Sequence, residues 1–332
     1  MPEHIKVSLF SILGIKSQNL KSIQFFILFM KVSVLIPTRN NAHVLEQALK
    51  SLVKQKPDEI IIIDGHSTDN TVEVVKKYKA KIVFESTGTR GGACNVGADT
   101  SKGDILAFTD DDCIFPEDWI KKIKHAFSKD VDVVGGDDIE EKNATVFRQA
   151  LFQIDIAKSK SFIEDFKRLR GCNTAYRRDF FMKHKFNTKL TGIEETEMHQ
   201  RMKEAGGLMI FDRNIFVYHK RRSSFRKLFR RVYTNGQSRT LLVSYNKKFL
   251  EPMDIIAPAV ILVLLASIVS AIINPVFLEV VILTGMICYL AKPAVILSKT
   301  KNWKYYPLLI PILIVRELGF GLGVLRGFMR RK

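Results

Sequence analysis

Asp110, Asp111 and Asp112 stand side by side behind an apolar run, ILAFT, in the segment FTDDDC. Three carboxylates so placed repel one another and lose hydration unless a cation joins them. Ligation by oxygen alone suits Mg²⁺ or Mn²⁺, and diphosphate oxygens can complete the shell. An acidic turn held by water is the plainer alternative. A second acidic group, Glu194, Glu195 and Glu197, opens a segment with helical composition, where negative charge also favours the helix dipole. A further acid, Asp64, closes another apolar run, EIIIID.

The elements that must hold these acids alternate along the chain. Residues 32–36 read as a buried strand. Val44, Leu45, Ala48, Leu49, Leu52 and Val53 then share one face of a helix opened by Asn40 or Asn41. EIIIID is a second strand, and NTVEVVKKY a helix capped near Asp69 or Asn70. KIVFE, DILAFTD and VDVVGG are further strands. PEDWIKKIKHAF reads as a helix with Pro116 at its first position and acids in its first turn. This alternation predicts an α/β fold, with a parallel or mostly parallel sheet covered by helices on both faces. Ligands of such sheets sit at the carboxyl ends of the strands, where Asp64 and Asp110–Asp112 fall.

Five blocks in order, VSVLIPTRN, EIIIIDGHSTDNT, TRGGACNVGADTSKGDILAFTDDDC, GCNTAYRRDFF and FNTKLTGIEETEMHQRMKEAG, resemble the family 2 glycosyltransferases, whose catalytic domain has the GT-A nucleotide-sugar fold. The likeness runs over roughly residues 31–240. It implies a metal-dependent, inverting transfer of one sugar from a nucleotide-diphosphate sugar. Pro37, Thr38 and Arg39 would line the nucleotide pocket, and Asp64 would bind the base. Arg39 stands where many members carry an aromatic residue, so its guanidinium would stack instead. Asp110 and Asp112 match the DxD pair, with Asp112 on the metal and Asp110 between ribose and metal. Arg90 matches a residue facing the donor, whereas Cys94 replaces a frequent arginine. Glu195 takes the place of the family's catalytic Asp, one methylene longer, and would deprotonate an acceptor hydroxyl. His219, after the strand IFVYH, matches a histidine that in some relatives completes the metal shell. FRRVYTNGQS resembles the family's amphipathic membrane-riding helix, without the Gln-x-x-Arg-Trp motif of processive synthases, which favours single transfers.

Charge and hydropathy suggest the setting. The 332-residue chain has 52 Lys+Arg against 34 Asp+Glu, a net +18. Lys220, Arg221, Arg222, Arg226, Lys227, Arg230, Arg231, Arg239, Lys247 and Lys248 occur with no acid among them, just before an apolar tail. That placement points to lipid headgroups and a cytosolic face. No zinc-finger or helix-turn-helix spacing supports a nucleic-acid partner. Ile255–Ile273 is uncharged and long enough to span, and Val276–Leu290 can return after Asn274-Pro275. Lys292, Lys299, Lys301 and Lys304 then fall on the cytosolic side. Tyr305–Leu325, with Arg316, Glu317 and glycines at 319, 323 and 327, reads either as a third span packed on the other two or as an interfacial helix; the cytosolic Arg330, Arg331 and Lys332 favour the latter.

Three regions result: an extension over 1–30, disordered or preceding a true start at Met30; a catalytic domain over 31–250; and membrane-anchoring helices over 251–332. Cys94, Cys113, Cys172 and Cys288 form no CxxC pair and read as reduced packing residues. The expected acceptor is lipid-linked, for which Arg221 or Arg222 would bind a phosphate, or a glycan. Competing readings are a sugar-nucleotide pyrophosphorylase, whose glycine-rich opening is replaced here by PTRNN, and a non-catalytic membrane protein that only binds nucleotide sugars.

Overall fold

The structure, a computed structural model, describes residues 30–127, 130–159, 169–220, 224–272 and 275–330. The extension up to residue 29, Arg221, Arg222, Ile273, Asn274, Arg331 and Lys332 of the sequence reading lie outside the described residues.

The first half alternates as the hydrophobic pattern requires: β1 (Val32–Thr38), α1 (Ala42–Leu52), β2 (Glu59–Asp64), α2 (Thr71–Lys77), β3 (Lys81–Phe84), α3 (Arg90–Thr100) and β4 (Ile105–Thr109). There follow β5 (Cys113–Ile114), α4 (Trp119–Ala126), β6 (Val133–Ile139), α5 (Val146–Ser159), β7 (Asn173–Arg177), α6 (Arg178–His184), α7 (Glu194–Glu204) and β8 (Met209–His219). All strands join one sheet in the order β3-β2-β1-β4-β7-β6-β8-β5. The half from β3 to β4 is parallel, as expected for strands buried on both faces. β7 then runs antiparallel between β4 and β6, so the sheet is mixed beyond that point.

Each face of the sheet buries its own core. On one face Leu45, Leu49, Val75, Trp119 and Ile123, from α1, α2 and α4, cover Val34, Ile36 and Ile62. On the other, Cys94, Ala98, Phe181 and Met198, from α3, α6 and α7, cover Leu35, Ile61 and Phe108. β6 changes register against β8 between Gly135 and Asp137. There Gly136 approaches the Ile215 carbonyl so closely that any Cβ would collide with it.

Two local expectations are corrected. The helix predicted to start at Pro116 starts at Trp119, with Asp118 as N-cap and no acid in the first turn. Trp119 is instead drawn inward: its ring is fully buried against Phe115, and its Nε1 donates to Asn173 Oδ1 at 2.9 Å. Asn41 occupies the N-cap position of α1, but its side chain makes no cap; Asp69 Oδ2 accepts from the first helical N–H of Ala42 at 3.0 Å.

The tail comprises α8 (Phe225–Tyr245), α9 (Pro252–Ser270), α10 (Pro275–Thr300) and α11 (Tyr306–Met329). Three segments, Pro252–Ser270, Pro275–Thr300 and Trp303–Met329, are long and apolar enough to cross a membrane. Lys292 and Lys299, expected in a loop, lie within α10, which continues past Pro293. The glycine stripe of α11 faces the catalytic side more than the other two apolar helices. Gly319 lies over Phe229 and Val232, Gly323 over Tyr233 and Gly236, and Gly327 over Thr240, all on α8; only the intervening Gly321 meets α9, at Ala257. α8 and α11 therefore run parallel at the close approach that missing Cβ atoms allow. Leu309, Ile312 and Leu313 join Ala150 and Leu151 of α5 in a third core that ties tail to domain.

Candidate active site

β1, β2 and β4 end at one edge, with Thr38 and Asp64 paired in register and the Asp110–Asp112 turn following Thr109. That edge lies where the chain order reverses, β1 having β2 on one side and β4 on the other.

The three aspartates do different work. Asp111 is the brace: Thr38 Oγ1 donates to its Oδ2 at 2.6 Å and Asn41 Nδ2 to its Oδ1 at 2.9 Å. Burial, reinforced by the Asp112 and Asp110 charges, pushes the Asp111 carboxyl up to about 6 despite the Thr38 bond. Asp110 receives Arg90, whose Nε and Nη2 both donate to Oδ1, at 3.1 and 2.9 Å. Burial works against ionising Asp110, but the Arg90 and His219 charges outweigh it and hold this carboxyl below the usual range. Asp112 Oδ1 is buried and accepts no hydrogen bond among the described residues, a position that suits a bound cation. His219 Nε2 lies 3.2 Å from that oxygen, and its Nδ1 lies 3.3 Å from Asp138 Oδ2. Burial opposes charge on this imidazole, yet the surrounding Cys172, Asp112 and Asp138 raise its pKa well above the ordinary value. The ligand atoms of Asp112, Cys113 and His219 lie within 4.8 Å of one another. Loading a metal there requires His219 to give up its proton.

On the nucleotide side, Asp64 is fully buried and both its oxygens accept from the Ser67 N–H, at 3.2 and 3.1 Å. Pro37 is half-buried and Arg39 exposed, with the Arg39 stem lying against Gly65 next to Asp64. The Thr38 hydroxyl points at Asp111, so this residue shapes the pocket by holding the acidic turn.

Arg90 joins the two acidic groups. It begins α3, whose N-cap Thr89 accepts from Gly92 N at 3.1 Å. Its Nη2 also donates to the Gly171 carbonyl at 2.8 Å. Its Nη1 lies 3.5 Å from Glu195 and 3.8 Å from Glu194. A Cβ at Gly171 would press on both Glu195 Oε1 and Arg90 Nη1, so any larger residue there would displace the ends of these two side chains. Glu194, unlike the partly exposed Glu195, is fully buried, and among the described residues neither of its oxygens accepts a hydrogen bond. Burial, then the neighbouring Glu195 charge, raises the Glu194 carboxyl to about 7.

Sequence reasoning brought together Asp110, Asp112, Arg90, Glu195 and His219, and the structure places them around one strand edge. It missed Asp111 as the brace, Asp138 behind His219, and Gly171 beneath Arg90. Gly171 and Cys172 lie in the block GCNTAYRRDFF, whose glycine was the available signal.

Known proteins resemble this chain in sequence and in fold. Residues 33–187 match the family described as Glycosyl transferase family 2. An uncharacterised glycosyltransferase of Nostoc sp. is 34% identical over 114 residues, 32% of this chain and 35% of that protein. A poly(ribitol-phosphate) β-N-acetylglucosaminyltransferase of Staphylococcus aureus is 30% identical over 142 residues, 39% of this chain and 43% of that protein. The chain thus spans well under half the length of these curated relatives. Among solved structures, a mannosyltransferase from Pyrobaculum calidifontis in complex with GDP-Man and Mn²⁺ superposes with a TM-score of 0.58 at 17% identity, covering 91% of this chain and 88% of that one. The fold is that of the GT-A glycosyltransferases. The likeness to glycosyl transferase family 2 thus covers residues 33–187, and apolar helices follow in the C-terminal part.

Proposed function

We propose that the protein is an inverting glycosyltransferase that moves one sugar from a nucleotide-diphosphate donor to a membrane-associated acceptor. The observation that carries this reading is the Arg90 bridge, which fixes Asp110 of the acidic turn and Glu195 on opposite sides of one guanidinium. The complexes of the archaeal neighbour with GDP-Man and Mn²⁺ support a divalent cation and a diphosphate donor. Asp110 and Asp112, with His219 at their rim, would hold Mg²⁺ or Mn²⁺. A cation there neutralises charge developing on the departing diphosphate. Pro37, Arg39 and Asp64 receive the nucleotide, and Thr38 keeps Asp111 in place beneath it. Arg90 keeps the Asp110 carboxylate ionised and oriented. Glu195 faces the acceptor and takes its proton when the nucleophile is a hydroxyl. A thermal-shift screen of nucleoside diphosphates with Mn²⁺ tests the reading, since a specific ligand stabilises by mass action. Stabilisation that survives chelation of the metal would count against it.

The same reading sets the protein in the cell membrane with its catalytic domain cytosolic, α9 and α10 crossing and α11 lying in the interface. α8 carries Arg226, Lys227, Arg230, Arg231 and Arg239 and runs parallel to α11 in close contact. A crossing α11 would draw those cations into hydrocarbon, at about 2.5–3.5 kcal/mol each at mid-bilayer. A C-terminal fluorescent-protein fusion, bright only when cytosolic, checks this; a dark fusion with normal expression would rule it out.

A further inference from the structure

The connection between α6 and α7 delivers Glu194 and Glu195 to the site, and its two ends are held by different parts of the molecule. At its start Asn95 of α3 brackets Phe186: Nδ2 donates to the Phe186 carbonyl at 2.9 Å, and Oδ1 accepts from the Phe186 N–H at 3.0 Å. Arg201 of α7 adds a bond from Nη2 to the Lys185 carbonyl at 2.8 Å. At its far end, next to the glutamates, the partner is α8. Ser238, buried on that helix, donates to the Thr191 carbonyl, and its oxygen lies 3.1 Å from the Thr191 hydroxyl. The Thr234 carbonyl, one turn back on α8, lies 3.0 Å away as the alternative acceptor. Asn235 Oδ1 stands 3.3 Å from the place that a Cβ on Gly192 would take.

The segment itself does little to fix where α7 begins. Ile193 occupies the N-cap position and supplies no side-chain cap. Gly192 before it turns through a φ of +88°, which glycine takes without steric penalty. The direction in which the first turn leaves is therefore set from outside, by the contact with α8. Glu195 lies in that first turn, and Arg90 holds only the far end of its side chain, Nη1 to Oε1 at 3.5 Å. α8 is itself clasped, since Gly236 packs against the Phe320 carbonyl and Gly323 of α11.

We propose that Ser238 is a positioning residue for Glu195, holding the start of α7 through Thr191 so that the carboxylate meets both Arg90 and the acceptor. This rests on the transferase reading and extends the working site from the sheet edge to α8. A reacting group displaced by about 1 Å loses on the order of a hundredfold in rate. The Thr191 bond is therefore worth more to turnover than to folding.

The test uses full-length protein in detergent with Mn²⁺, and follows release of nucleoside diphosphate from GDP-mannose, UDP-glucose and UDP-N-acetylglucosamine. S238A is expected to lower kcat by about tenfold or more with donor KM little changed. In an E195Q background the same substitution should have no further effect, because both act through one carboxylate. Amide hydrogen exchange over residues 187–197 should quicken in S238A. Exchange in β1 and β4, and stabilisation by nucleoside diphosphate with Mn²⁺, should stay as in the wild type. Equal kcat in S238A and wild type, unchanged exchange over residues 187–197, or a loss that simply adds to that of E195Q overturns the proposal. A wild type that binds nucleoside diphosphate but releases none leaves Glu195 no reaction to serve, and overturns it as well. A wild type that nucleoside diphosphate with Mn²⁺ does not stabilise fails the transferase reading itself; the exchange result then still decides whether Ser238 holds α7.

Discussion

Arg90 Nη1 stands 3.5 Å from Glu195 Oε1 while Nη2 of the same guanidinium stands 2.9 Å from Asp110 Oδ1. One side chain therefore couples the acidic turn after β4 to the acidic start of α7. Lysine cannot reproduce this, because it offers a point charge where a planar fork is required. R90K should fold but lose roughly a hundredfold in kcat/KM, with weakened Mn²⁺ affinity measured by calorimetry. R90A should also lose about 1–3 kcal/mol of stability, because partly buried carboxylates are left without their counter-charge.

Asp112 leads to a metal prediction. Its buried Oδ1 accepts no hydrogen bond among the described residues, so D112N replaces an available ligand oxygen with an amide of nearly the same shape. The variant should lose the stabilisation that Mn²⁺ gives with nucleoside diphosphate, with metal-free melting lowered only by the lost pairing with His219. A variant with undiminished Mn²⁺ response would remove Asp112 from the metal site.

Glu194 predicts a pH signature. Its carboxyl is raised from the ordinary 4.5 to about 7, first by burial and then by Glu195. An acid raised on folding contributes its full stability below the unfolded value, and loses it as pH climbs through the folded value. Between about pH 4.5 and 7 the wild type should therefore lose up to roughly 3 kcal/mol relative to E194Q. Parallel melting curves of the two proteins across that range would refute the burial argument.

The α8–α11 contact predicts a packing effect. A Cβ at Gly323 would strike the Tyr233 carbonyl and lie 3.1 Å from Gly236 Cα. G323A should cost about 1–3 kcal/mol by forcing the helices apart. G285A, on α10 where nothing lies within 4 Å of the added methyl, should leave melting in detergent unchanged.

Much of this was legible from local pattern. Runs such as EIIIID and ILAFT announce strands buried on both faces, and the acids behind them mark the carboxyl edge. What sequence could not give is pairing across distance. Thr38 and Asp111 are 73 residues apart, and Arg90 and Gly171 are 81 apart, so neither bond leaves a periodic trace. The antiparallel insertion of β7 between β4 and β6 is hidden for the same reason. The glycines of α11 were visible as a stripe, but their spacing is equally suited to any close neighbour. Only the fold shows that α8 lies over Gly319, Gly323 and Gly327.

On the proposed membrane placement, that seam between α8 and α11 would fix the altitude of the candidate site above the bilayer. With no slack between site and anchor, the search for a membrane-borne acceptor would be reduced from three dimensions to two. Substrates held in the same plane are met at an effective concentration set by membrane area and not by cell volume. A soluble sugar must rise to that fixed height by chance, whereas a lipid-borne one arrives already level with the catalyst.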